Sequence, residues 1–336
     1  MAAGRSFSRI PVTVELHGGE IAIPVHEVIG ARDGPTLTVL AMLHGSEWLE
    51  IDVIKRLLQR LDPRAMAGRV LAVPVANPVA FGMLTRNIPL DESDAPDLNR
   101  NFPGSRKSAS DLLAKAIVER LLASSQYLID LHHGIWGSTW YTIVYPIDLP
   151  DPAVNRAAAL MAHTFGHPIL HPQAMAEPPG KRSAAWYAGT HLGVAPIIVE
   201  IGGAGFDRAL EEAWIEANVT GMLSVMRALR MLDGEPTVLD RYLHYRKYIG
   251  MQPAVAGYLV PEIGPEMLGK ESPAGTVAGR VISPYTLGEV EVLATPVRCV
   301  WANVARAYPV RPGSWAYGVI DLDDPDTSYG PATVTP

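Results

Sequence analysis

Thiols are nearly absent from this chain: Cys299 is the single cysteine in 336 residues. That excludes an intrachain disulfide framework and any metal site built from several thiolates. A bound metal would have to rest mainly on the ten histidines and 35 acidic residues. Long apolar runs are also missing. The N-terminal stretch has no hydrophobic signal region, and no run of about 18 uncharged apolar residues occurs, so neither a secretory leader nor a membrane-spanning helix is expected. A soluble, cytoplasmic protein is the default expectation. Positive charge is in deficit, with 28 Lys and Arg against 35 Asp and Glu and a formal net charge of -7. This argues against a nucleic-acid backbone or an anionic membrane as the main partner. With 48% hydrophobic and 19% charged residues a sizeable core can form, which excludes global disorder.

Several reaction motifs are lacking too. No Gly-x-Gly-x-x-Gly follows a strand, there is no Walker A loop, and no Gly-x-Ser-x-Gly elbow occurs. Dinucleotide dehydrogenase, P-loop NTPase and serine hydrolase readings lose their usual support. Cys299 has no histidine within fifty residues and reads as a buried structural thiol.

What is present alternates. Residues 10–28 form two alternating segments around His-Gly-Gly, the pattern of a β-hairpin. Residues 37–43 (LTVLAML) form a continuous apolar run, as a strand buried on both faces would. Helical periodicity follows over 47–61, then strand 70–76, a Pro/Asp/Asn-containing loop over 77–107, helix 111–122, strand 127–131 and a short strand at 141–145. Two helical stretches, strand 195–201 and a long helix over 208–232 complete the series. The expected class is α/β, with a mostly parallel central sheet covered by helices on both faces. From about residue 245 the texture changes to short strands and turns. The chain is therefore read as a catalytic domain over 1–240, including the hairpin, and a smaller β-rich C-terminal domain over 241–336.

The chemistry lies at strand ends, where open α/β sheets bind ligands. The first strand runs into His44-Gly45-Ser46-Glu47. Ten histidines and 18 glutamates in 336 residues produce about half a His-x-x-Glu match by chance. A second copy, His17 to Glu20, sits between two alternating strands and reads as a turn. Position on the sheet separates the two. The strand YLIDLHHG ends in Asp130 and His132, two apart and so on one face, with His133 on the other. The strand APIIVE ends in Glu200, costly in an apolar strand unless paired, protonated or functional. His44, Glu47 and His132 form a His₂Glu set for one Zn²⁺ per chain, with a fourth position left for water. Asp130 is a candidate acceptor for a ligand imidazole, and Glu200 a candidate base that passes a proton to the leaving group.

The long loop carries Thr85-Arg86 and Asp97-Leu98-Asn99-Arg100-Asn101-Phe102-Pro103-Gly104. H-G-S-E, T-R, D-L-N-R-N-F-P-G, D-L-H and V-E-I-G occur in that order over roughly residues 35–235. The set resembles the succinylglutamate desuccinylase/aspartoacylase family, relatives of the zinc carboxypeptidases; D-L-N-R-x-F-P-G is its most specific element. The resemblance implies a zinc carboxypeptidase-like fold, zinc ligands His44, Glu47 and His132, and Glu200 as general base. It implies that Arg86, Asn99 and Arg100 bind substrate, including its carboxylate. The arginine fork suits a carboxylate, and Arg86 alternatively polarises the scissile carbonyl. The Ile-Gly-Gly after Glu200 and the β-rich tail are most similar to the branch that deacetylates N-acetyl-diaminobutyrate-like compounds. Trp48, Trp136 and Trp140 depart from the usual pattern and either shape an apolar pocket or pack the core. Arg182, beside Lys181, is a weaker anion-site candidate.

The leading expectation is a zinc-dependent amidohydrolase acting on a small N-acyl amino acid that bears a carboxylate. The alternative is a metallocarboxypeptidase releasing C-terminal residues from peptides; a non-catalytic binding protein on the same scaffold is the third. The β-rich tail suits either a cap over the active site or a subunit contact, which leaves a homo-oligomer open.

Overall fold

The computed structural model describes residues 2–14, 18–89, 91, 96–134, 137–146, 149–170 and 182–332. His17, Trp136 and Lys181 lie outside these residues.

The alternating N-terminal segments form β1 (Gly4–Val14) and β2 (Glu20–Ile29), paired antiparallel from Gly4↔Ile29 to Val14↔Glu20. The hairpin thus begins at Gly4 rather than at residue 10. Then follow β3 (Arg32–Leu40), α1 (Leu49–Arg60), β4 (Ala67–Val73), the short α2 (Pro78–Gly82), α3 (Ala109–Arg120), β5 (Tyr127–Gly134), β6 (Ser138–Trp140) and β7 (Ile143–Pro146). Next come α4 (Pro152–Thr164), β8 (Ile169–Leu170), α5 (Ala184–His191), β9 (Ala195–Gly203) and α6 (Arg208–Ala228). Side-chain caps start several helices: Ser108 accepts from Asp111 N at 3.2 Å, Asp151 from Ala153 N at 2.7 Å, and Asp207 from Leu210 N at 3.1 Å.

The apolar run at 37–43 behaves in two ways. Its burial is as expected, but the strand stops at Leu40. Met42 turns into the left-handed region at φ 55°, and the chain leaves the sheet while staying buried. The turn after β4 holds it there: Ala76 N donates to Ala41 O at 2.9 Å and Asn77 N to Met42 O at 3.0 Å. The helix consequently starts at Leu49 rather than Glu47. It buries Leu49, Val53, Ile54 and Leu57 at helical spacing. Its outer face carries Arg56 and Arg60, which pair with Glu216 of α6 at 2.8 and 2.6 Å.

The remaining strands are β10 (Tyr242–His244), β11 (Tyr248–Met251), β12 (Gly257–Pro261), β13 (Glu271–Ser272), β14 (Val277–Ile282), β15 (Glu289–Ala294), β16 (Cys299–Ala305), β17 (Tyr308–Val310), β18 (Tyr317–Asp321) and β19 (Ser328–Gly330). The large sheet has ten strands in the order β1-β2-β4-β3-β5-β9-β7-β8-β10-β19. Its centre, β4-β3-β5-β9, is parallel, while β1, β2, β7 and β19 each run antiparallel to a neighbour. The four central strands therefore deliver their carboxyl ends to one rim. Two smaller sheets hold the C-terminal strands, and they are not detached. β16 pairs with β6, and β10 and β19 close the edge of the large sheet. An apolar cluster of Ile143, Ile169, Leu243, Tyr245, Val300, Ala302 and Ile320 fills the seam. Cys299 is buried, as expected for a structural thiol.

Candidate metal centre

The first two candidate ligands lie on the bend between β3 and α1. Gly45 has a steric reason to be glycine there, because a Cβ would stand 2.0 Å from the carbonyl carbon of Ala80. The bend points both side chains inward, and His44 and Glu47 are almost fully buried. His44 Nδ1 lies 2.8 Å from Glu47 Oε1, and His132 Nδ1 lies 3.0 Å from Glu47 Oε2. His132 arrives on β5, two residues past Asp130, which pairs with Leu40 at the end of β3. The ligand atoms of His44, Glu47 and His132 all lie within 4.8 Å of one another.

Outer nitrogens matter as much. His44 Nε2 lies 3.0 Å from Asp97 Oδ1, and His132 Nε2 lies 3.4 Å from Asp130 Oδ1. Each imidazole thus turns Nδ1 inward; His44 Nε2 is hydrogen-bonded to Asp97, while Asp130 stands near His132 Nε2 with neither of its oxygens hydrogen-bonded. A carboxylate behind the outer nitrogen is the support metal-binding histidines require, and His44 has it. Two imidazole nitrogens and a carboxylate suit a tetrahedral ion such as zinc, and three protein donors leave one position for water or substrate. The cluster fits the group.

Charge supports the same reading. Burial alone would raise Glu47, but His44 and His132 outweigh it and hold the carboxyl well below the ordinary range. Burial would lower His132, yet Asp130 and Glu47 push it well above an ordinary histidine. Asp97 is likewise held low against its burial, by the His44 hydrogen bond and the charges of His44, Arg86 and Arg100. The centre is rich in carboxylate and collects positive charge from its surroundings.

Arg86 reaches the cluster from the segment after α2, with Nη1 3.3 Å from Glu47 Oε1 and Nη2 3.1 Å from Asp97 Oδ2. Asn99 is buried in the single helical turn Leu98–Arg100. Its Oδ1 accepts from Ala184 N at 2.9 Å, which directs Nδ2 toward His132 Nε2 at 3.3 Å. Arg100 donates from Nη1 to the Asn99 carbonyl at 2.7 Å. Glu200 stands directly across the strand pair from His132. Burial pushes its carboxyl up to about 7, against the pull of His132. Arg182 is exposed and joins the region through its backbone, its carbonyl accepting from Phe102 N at 3.1 Å.

Trp48 is 39% exposed and edge-on to His133, with ring centroids 6.4 Å apart. Trp140 stacks on Tyr248 at 5.5 Å, across the seam to the C-terminal strands. Two residues of this neighbourhood were given no role by sequence reasoning. Asp97, the carboxylate behind His44, stands in the D-L-N-R motif, but nothing in the sequence links it to a histidine 53 positions earlier. Glu50 reads as an ordinary first-turn acid; it is wholly buried, and its backbone partner is the N–H of Met42.

A family model described as the succinylglutamate desuccinylase/aspartoacylase catalytic domain matches residues 33–229, more than half of the chain. Every candidate ligand, base and substrate-contacting residue named above from His44 to Glu200 falls inside that match. N-alpha-acetyl-L-2,4-diaminobutyric acid deacetylase of Halomonas elongata is 30% identical over 197 residues, which is 56% of this chain and 56% of that protein. The chain thus spans little more than half of that relative's length. The product-bound ectoine utilization protein EutE of Ruegeria pomeroyi superposes with a TM-score of 0.80 at 20% identity, covering 95% of each chain. A succinylglutamate desuccinylase/aspartoacylase of Rhodobacter sphaeroides gives 0.78 at 23% identity, covering 95% of this chain and 96% of that one. At these identities the likeness to solved structures is one of fold.

Proposed function

The chain belongs to the succinylglutamate desuccinylase/aspartoacylase family, and on that premise we propose that it hydrolyses the amide of a small, carboxylate-bearing N-acyl amino acid as a zinc-dependent deacylase. The observation that carries this reading is the convergence of His44, Glu47 and His132, each imidazole having a carboxylate near its outer nitrogen. The name of the Halomonas relative, a deacetylase of an N-acetylated amino acid, supports the same reaction class.

Two imidazoles and one carboxylate would hold the ion. Zinc, when bound, polarises an amide carbonyl and lowers the pKa of water to about 7. Glu200 does the proton work. A carboxyl raised by burial toward 7 can take a proton at neutral pH and return it to a leaving amine nitrogen, as Brønsted behaviour favours. Arg86 presents a planar pair of N–H donors at the edge of the cluster, suited to a substrate carboxylate or to the scissile carbonyl oxygen. Asn99 and Arg100 sit on the single helical turn that Asp97 caps. The Asn99 amide is oriented by Ala184, and the Arg100 guanidinium adds positive charge that reaches Asp97.

The test combines metal content with turnover on a panel of N-acyl amino acids. Wild-type protein should carry about one zinc per chain, and His44→Ala should lose both metal and activity. Glu200→Gln should keep the metal and lose about 10²–10⁴-fold in kcat. Full activity in His44→Ala, or an unchanged kcat in Glu200→Gln, overturns the reading.

A further inference from the structure

We propose that Glu50 is the positioning residue that fixes the ligand-bearing bend, and through it the geometry of His44 and Glu47; the inference rests on the metal-site reading above. Both ligands lie on the stretch between Met42 and Glu50. Met42 is buried and left-handed at φ 55°, a conformation that a residue with a long side chain rarely adopts without something to hold it. Its N–H donates to Glu50 Oε2, in the first turn of α1. Residue 42 is therefore tied to residue 50 across the ligands.

Other bonds do not replace this tie. The carbonyls of Ala41 and Met42 accept from Ala76 and Asn77, and Gly45 N donates to Arg86 O at 3.4 Å. These hold the bend to the turn after β4 and to the Arg86 segment. None of them reaches α1. That helix begins at Trp48 without a side-chain cap, so no capping side chain fixes its start. The Glu50 carboxyl joins the helix start to the strand end.

Glu50 is also an expensive residue to keep. A first-turn acid normally lies in water and complements the helix dipole, as the exposed Asp52 does. Glu50 is wholly buried, and its second oxygen, Oε1, has no hydrogen-bond partner. A half-paired buried carboxyl costs stability that an apolar side chain of similar size would not. Its surroundings are the site itself, for Glu47, His132 and Asp130 all act electrostatically on it. A wholly buried carboxyl with one oxygen unpartnered and the other holding the ligand bend is the mark of a functional position.

The experiment measures zinc affinity by competition with a chelator, together with the melting temperature of metal-free full-length protein, for wild type, Glu50→Met and Glu50→Gln. Glu50→Met leaves the buried Met42 N–H without an acceptor, so it should melt no higher than wild type, and it should bind zinc about 10–100-fold more weakly, the loss typical when support behind metal ligands is removed. Glu50→Gln keeps an oxygen for the Met42 N–H and should return to within a few-fold of wild-type affinity. Wild-type affinity in Glu50→Met overturns the proposal, and so does a Glu50→Gln as weak as Glu50→Met. Should Glu50→Met fail to fold, Glu50→Asp decides: its shorter reach should weaken zinc binding, and wild-type affinity there overturns the proposal. Wild-type protein that binds no zinc, or binds it equally after His44→Ala, marks failure of the metal reading itself.

Discussion

At the scale of single residues, the centre is a problem of placing charge. Glu47, Asp97 and Asp130 surround two imidazoles, and Arg86 bridges the first two carboxylates at its exposed edge. Arg86→Lys keeps the charge but loses the two-pronged geometry. It should lower kcat/KM about 10–100-fold, from a charge-assisted hydrogen bond of about 1.5–3 kcal/mol, while zinc content stays at wild-type level. Steady-state kinetics with metal analysis checks this, and unchanged kcat/KM removes Arg86 from substrate contact. Glu200 supplies the pH dependence. A base must be ionised, and burial raises its pKa from 4.5 to about 7. Activity should therefore fall about tenfold per unit as pH drops below the pKa of Glu200. Bound zinc draws that pKa downward, so the acid limb should lie below about 7. A kcat/KM that is flat or rising on acidification through this range contradicts the assignment. His44, Glu47, His132, Asp130 and Glu200 stand out in the sequence because each lies at or just past the end of an apolar run, where a polar group is conspicuous. Asp97 and Glu50 were not legible: their partners are distant in sequence or on the backbone, and an acid in a turn or a first helical turn looks ordinary.

At the scale of elements, the bend from β3 to α1 does the decisive work. The apolar run 37–43 reads as one strand because burial on both faces leaves no alternation to mark its end. The strand stops at Leu40 because the turn after β4 captures the carbonyls of Ala41 and Met42. Gly45 then passes so close to Ala80 that only hydrogen fits. Gly45→Ala places a carbon against backbone that no rotamer change can relieve. It should destabilise the protein by about 1–3 kcal/mol and weaken zinc binding. Thermal melting and chelator competition measure both, and a wild-type melting temperature contradicts the packing argument. The extension of β5 to Gly134 and of β9 to Gly203 has a related cause. Both strands run on past the central pairing toward β6, where Ser138 and Thr139 stand against Gly134 and Gly203.

At the scale of the whole molecule, the change in sequence texture near residue 245 does not mark a physical separation. The C-terminal strands have a core of their own around Leu259, Trp301 and Tyr317. They are also stitched to the rest through β16 on β6, through β10 and β19 in the large sheet, and through the seam around Ile143 and Val300. A chain ending at residue 245 should expose Ile143, Ile169 and Leu243 and aggregate rather than fold. Size-exclusion chromatography checks this; a soluble, cooperatively melting monomer would show the seam to be dispensable. The whole molecule also determines what faces the centre from outside. Trp140 meets Tyr248 across the seam, so β6, beside the ends of β5 and β9, and the first strand of the C-terminal sheets share one aromatic stack. Among the described residues, no helix is long and apolar enough to cross a membrane.

The sequence by itself determined the family, the α/β alternation and the candidate residues His44, Glu47 and His132 that the fold then gathers. These depend on local patterns: apolar runs, strand-end polar residues and an ordered motif series, all visible within a few residues of one another. Only the tertiary structure decided which carboxylate stands behind His44, where β3 ends, why Glu50 is buried and how the C-terminal strands join the large sheet. Apart from the Glu50–Met42 bond, which spans eight residues, those are contacts between segments tens to hundreds of residues apart. A one-dimensional pattern records the chemistry of each partner; which groups meet is fixed only when backbone hydrogen bonds and close packing leave a single arrangement.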